Sequence, residues 1–78
     1  MVMQRLRNLR QGRDLTQAEV SKMLGITQKA YSNYETGQRS IPLSTLIIMA
    51  KFFGTSTDYL LEVTDEIKPY KYKKKTGH

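Results

Sequence analysis

The chain contains no cysteine, which excludes disulfides and thiolate metal sites and fits a reducing compartment. Its single histidine, His78, stands at the end of the sequence, where fraying is the expectation and ligation is not. No nucleophile–base pair, metal-ligand spacing or phosphate-cradling glycine loop can be assembled from what remains. No cofactor, no metal and no enzymatic activity are therefore expected. Long hydrophobic runs are also missing. A bilayer-spanning helix needs about 20 apolar residues, and the richest stretch here, residues 46–53, is broken by Lys51. No apolar leader with a cleavage site is seen. The expectation is a soluble, cytoplasmic protein without membrane contact.

Acids are scarce too: 7 Asp and Glu stand against 13 Lys and Arg, a net charge of +6. The imbalance is uneven. Residues 1–39 carry a net +4, residues 40–67 a net −3, and residues 68–78 a net +5. A polyanion would be drawn to the first part and repelled by the second.

Seventy-eight residues suggest one domain. With so small a core and no staples, it must be compact and helical. The spacing of Val2, Leu6 and Leu9, with Met3 nearby, predicts a helix over 2–12 that Gly12 is placed to end. Thr16-Gln17-Ala18-Glu19 has the form of a capping box, so a second helix starts there, with Val20, Leu24 and Met23 toward the core. Gly25 can take the left-handed backbone that ends it. Thr27 caps a third helix, in which Tyr31 and Tyr34 share an inward face. Gln28, Lys29, Ser32, Asn33 and Thr36 are then left outward. Pro42 suits the first turn of a fourth helix whose core stripe is Leu43, Leu46, Ile47, Ala50 and Phe53, with Met49 as a filler. Gly54 ends it. Ser56 caps a short fifth helix, from which Tyr59, Leu60 and Val63 pack back. The fold class is all-α, with five helices. Residues 1–67 form the domain, and 68–78, rich in lysine and lacking apolar periodicity, form a tail.

The segment 15–37, LTQAEVSKMLGITQKAYSNYETG, thus reads as two helices joined by a tight turn at Gly25, the layout of a helix-turn-helix. These residues, with TLIIMAKFFGTSTDYLL further on, resemble the lambda-repressor/Cro (XRE-type) helix-turn-helix family across roughly residues 4–63. The resemblance implies a transcription regulator that places its third helix in the major groove of double-stranded DNA. It implies base contacts from Gln28, Lys29 and Asn33, flanked by Ser32. Phosphate contacts would come from Gln17, which also braces the recognition helix, and from Thr27, Thr36, Arg39 and Ser40. It implies a structural bridge between Arg10 and Glu35. Two departures stand out: Ser21 occupies a close helix contact where alanine is common, and its hydroxyl needs a partner; Tyr31 replaces a smaller aliphatic residue.

The residue types suit that chemistry. Gln and Asn can pair with an adenine edge and Lys with guanine, and helix starts attract phosphate. Gly25, Tyr31 and Tyr34 are expected to be structural. The tail lysines Lys68, Lys71, Lys73, Lys74 and Lys75 read as a solvated tail, as an auxiliary phosphate-binding arm, or as a patch for a membrane or protein partner. The leading function is a sequence-specific DNA-binding regulator acting as a repressor and as a homodimer joined near helix five, around Tyr59. The alternative is an antitoxin-type module that neutralises a protein partner and regulates its own promoter.

Overall fold

The computed structural model describes residues 1–69. Among them are five helices: α1 (Gln4–Gly12), α2 (Gln17–Leu24), α3 (Gln28–Thr36), α4 (Leu43–Phe52) and α5 (Thr57–Leu60). The core is built from Met3 and Leu6, Val20 of α2, Tyr31 of α3, Leu46, Met49, Ala50 and Phe53, and Leu60 of α5. The half-buried Leu9, Leu15, Leu24, Ile26 and Ile41 pack around it.

The helix starts are encoded locally. Thr16 Oγ1 accepts from the Glu19 N–H at 3.1 Å, and Glu19 Oε1 accepts from the Thr16 N–H at 2.8 Å, completing the capping box. These Thr16 contacts hold the Glu19 carboxyl below its ordinary range. Thr27 and Ser56 accept from the Ala30 and Tyr59 N–H groups in the same way. Ends repeat one device as well. At α1, α2, α4 and α5 the residue after the last turn, and the one following it, donate their N–H groups to the 5→2 and 6→1 carbonyls of a left-handed terminator. Gly25 (φ 75°) and Gly54 (φ 66°) serve α2 and α4.

The first helix departs from expectation at its start. It starts at Gln4, not at residue 2, because the Met3 N–H is drawn out to the Glu35 carbonyl at 2.9 Å. Met3 therefore fills the core position expected of Val2, which is exposed. Gly12 is the last residue of the helix, as expected, but the left-handed residue that follows it is Asp14 (φ 56°), a conformation that Asp tolerates.

Four apolar residues also face the other way. Met23 lies outside the stripe of Val20, Ser21 and Leu24 and is 60% exposed. In α4 the buried stripe is Leu46, Met49, Ala50 and Phe53, while Leu43 is 71% exposed and Ile47 39%. That helix is apolar nearly all round, so periodicity alone does not choose its inner face. Pro42 is the residue before the first turn, not within it. Val63 lies beyond α5 and is exposed. Ser21 is buried without difficulty, because its hydroxyl donates to the Ala18 carbonyl at 2.9 Å.

Arginines fasten the edges. The Arg5 guanidinium lies 4.2 Å from the centre of the Tyr59 ring. It donates to the carbonyls of Tyr59 and Thr64 and to Asp65 Oδ1, tying the chain after α5 onto α1. Arg13 lies over Phe52 and Phe53 and donates to the Phe52 carbonyl at the end of α4. Among the described residues no helix is long and apolar enough to cross a membrane.

Candidate nucleic-acid interface

The two sides of α3 differ in kind. Tyr31 and Glu35, one helical turn apart, are fully buried, and Tyr34 is half-buried against the core. Gln28 and Lys29 are exposed on the opposite side. Ser32, Asn33 and Thr36 are half-buried, not fully outward as the helix spacing suggested. Asn33 and Thr36 lie toward the far end of α3, where the following loop folds back. The Thr36 hydroxyl donates to the Ser32 carbonyl at 2.9 Å, so its proton is used inside the helix.

Glu35 fixes the orientation of α3. Arg10 of α1 donates from Nε to Glu35 Oε2 at 2.9 Å and from Nη2 to Oε1 at 3.0 Å. Its Nη1 donates to the Leu15 carbonyl at 2.9 Å. From α2, Gln17 Nε2 donates to Glu35 Oε1 at 3.1 Å, so this side chain braces α3. Arg7 adds a longer contact at 3.4 Å, which the spacing of the arginines along α1 could have suggested and the sequence reading did not include. Burial opposes ionisation of Glu35. The contacts from Arg10 and Gln17 more than offset it, and the carboxyl titrates below its ordinary 4.5. The same bridge raises the Arg10 guanidinium. The buried Tyr31 hydroxyl lies beside the carboxylate without hydrogen-bond geometry. Burial and then the Glu35 charge push its ionisation well above the usual range.

The rim around α3 carries donors. Arg39 and Ser40 are exposed in the loop between α3 and α4. The Arg39 N–H donates to the Asn33 carbonyl at 3.2 Å, which folds that loop back on α3. Thr27 keeps its own hydroxyl proton while its oxygen caps the helix. No side chain caps α4, so the N–H groups of its first turn face the same loop without a side-chain acceptor. Arg10 and Glu35, Tyr31 and Tyr34, and Gly25 occupy the supporting frame; Gln28, Lys29, Arg39 and Ser40 lie at the surface. Lys68 is exposed, whereas Lys71, Lys73, Lys74, Lys75 and His78 lie outside the described residues. Among the described residues no group of three or more His, Asp or Glu side chains could hold a metal ion.

Comparison with known proteins agrees with this geometry. The family model described as Helix-turn-helix matches residues 6–60. The uncharacterized HTH-type transcriptional regulator YobD of Bacillus subtilis is 38% identical over 69 residues, covering 88% of this chain and 62% of YobD. The cryptic phage CTXphi transcriptional repressor RstR of Vibrio cholerae is 41% identical over 54 residues, 69% of this chain and 49% of RstR. Antitoxin PezA of Streptococcus pneumoniae is 32% identical over 56 residues, 72% of this chain and 35% of PezA. The chain thus spans about a third to just under two thirds of the length of these relatives. No solved structure matches it at comparable significance. A capped α2, a left-handed turn at Gly25, an α3 fastened by Glu35 and the match across all five helices lead to one conclusion: the chain belongs to the helix-turn-helix family of the lambda-repressor/Cro type.

Proposed function

We propose that the chain is a sequence-specific double-stranded DNA-binding transcription regulator that acts as a repressor in the cytoplasm. The observation that carries the proposal is the division of α3. One side is locked by Glu35 to α1 and α2, and the other leaves Gln28 and Lys29 free at the surface. Such a helix can enter a major groove without moving its own supports.

Gln28 and Asn33 then pair with adenine edges and Lys29 with guanine, with Ser32 flanking them; a good two-bond pair contributes about 1–3 kcal/mol of discrimination. Gln17, Thr27, Arg39 and Ser40 contact phosphates, which set register but carry no sequence information. Thr36, with its proton taken inside the helix, is left out of that set. One helix reads only a few base pairs, so a homodimer spanning half-sites about 34 Å apart completes the specificity. Its surface lies by α5. Tyr59 is half-covered by Arg5, so Leu61 and Val63, both exposed, are the better contacts there. The name of RstR supports the repressor reading.

A second reading, binding of a protein partner in the manner of an antitoxin, is favoured by the name of PezA and by the exposed Leu43, Ile47 and Ile48 of α4.

Selection from random duplex DNA at physiological salt tests the leading proposal. An enriched palindrome is expected for the wild type, and loss of that enrichment for the Gln28→Ala, Lys29→Ala double variant. Equal enrichment of one motif by both proteins would remove these residues from base reading.

A further inference from the structure

We infer that Met1 and Met3 are positioning residues for DNA binding, because the segment ahead of α1 is laid across the far end of α3 and braces the loop that presents Arg39 and Ser40. The inference rests on the reading of that loop as a phosphate contact.

Three observations meet here. The Met3 N–H donates to the Glu35 carbonyl at 2.9 Å, one of the terminal carbonyls that a helix cannot satisfy itself. The Met3 side chain is buried in the same core cluster as Leu6 and Tyr31, so this segment is anchored from both its backbone and its side chain. Beyond it, the Met1 backbone crosses directly over Gly37. A Cβ at position 37 would overlap the Met1 carbonyl group. Gly25 and Gly54 have similar left-handed backbones, yet a Cβ on either would meet open space. Gly37 is therefore required twice, for its φ of 83° and for the chain that lies on it.

The brace matters because of what the loop otherwise lacks. Met1, Met3, Gly37, Arg39 and Ser40 line one open surface pocket of about 210 Å³, so the loop is not closely packed on that side. Apart from the Met1 crossing, the backbone tie of Arg39 is its 3.2 Å bond to the Asn33 carbonyl. A loop held still before contact loses less freedom on binding. The segment also lies ahead of residue 6, outside the region matched by the family.

The test uses a mixed-sequence duplex of about 20 base pairs, with affinity measured against salt for proteins shown by circular dichroism to be equally folded. Four variants are compared with the full chain: Gly37→Ala, Gly54→Ala, Arg39→Ala, and a chain beginning at Met3. Gly54→Ala carries the same backbone strain without the collision, so it sets the baseline. Gly37→Ala is expected to weaken binding about tenfold more than Gly54→Ala. It is also expected to lower the slope of log affinity against log salt by about 0.9, the share of one phosphate. The chain beginning at Met3 is expected to show the same slope loss, and adding Gly37→Ala to it should cost no more than adding Gly54→Ala. A wild-type slope in the shortened chain, or additive effects of shortening and Gly37→Ala, would overturn the brace while Arg39→Ala still lowers the slope. An unchanged slope for Arg39→Ala would overturn the phosphate contact and the brace with it. If Gly37→Ala does not fold, the shortened chain decides alone.

Discussion

Arg10 grips both carboxylate oxygens of Glu35, at 2.9 and 3.0 Å, and the carboxylate it grips has no exposure to solvent. Removing one partner of such a pair strands the other, at a typical cost of about 3–5 kcal/mol. Arg10→Met is therefore expected to lower Tm by well over 10 °C, at roughly 4–8 °C per kcal/mol for a domain of this size. Arg7 reaches the same carboxylate at 3.4 Å from a more exposed position, so Arg7→Met should cost a fraction of that. Thermal melts of the two variants check the ranking, and equal losses would contradict it.

Acid should act through the same carboxylate. Glu35 titrates below 4.5 in the folded chain, so its contribution is complete above that value and disappears as pH falls through the lower folded value. Tm is expected to hold from neutrality to about pH 5 and to fall steeply below it. Glu35→Gln should be less stable at neutrality, because Arg10 loses its counter-charge, and its acid decline should be shallower. Melts across this range decide; parallel curves would show that Glu35 does not drive the decline.

Tyr31 gives the opposite sign at high pH. Its folded value lies above the ordinary 10.0, so stability is whole below 10.0 and is lost as pH rises beyond it. Its buried hydroxyl makes no hydrogen bond, so Tyr31→Phe should change stability at neutrality by less than about 1 kcal/mol. The advantage of the Phe variant should grow above pH 10.0 in denaturant titrations. A large loss at neutrality would show that the hydroxyl has a partner in solution.

The Arg5 tie has a local signature. Arg5→Met removes its bonds to the Tyr59 and Thr64 carbonyls and to Asp65, and faster amide exchange is expected over residues 62–67. Asp65→Ala, at a fully exposed position, should change exchange little. Hydrogen exchange read by mass spectrometry separates the two; unchanged protection in Arg5→Met would mean that other contacts hold this segment.

The lysines at 68–75 are testable by length alone. Each neutralised phosphate adds about 0.9 to the salt slope, so deleting residues 68–78 should flatten it if they form a binding arm. An unchanged slope would leave that segment without a role in DNA affinity.

Much of the fold is legible because its signals are local. Thr16 with Glu19, Thr27, Ser56 and the left-handed Gly25 announce their helix ends within four residues, and each does so in the structure. The inward turn of Tyr31 follows from helical spacing. What escapes depends on partners distant in sequence. Val2 and Met3, four and three residues before Leu6, can both reach it on an isolated helix, and only the carbonyl of Glu35 selects Met3. Ile47 and Met49 are equally apolar, and the choice between them belongs to the neighbours of α4. Arg5 and Tyr59 lie 54 positions apart, and no pattern along the chain links them. At the candidate interface, residue types suggested Thr36 as a phosphate donor, but the nearby Ser32 carbonyl competes for its proton.

Because Glu35 fastens α3 from behind, through Arg10 and Gln17, the positions that would choose a DNA address are mechanically separate from those that hold the rod in place. Exchanging the side chains at 28 and 29 should redirect the protein to a new operator without re-engineering its scaffold, as a key can be recut while its shank is left untouched.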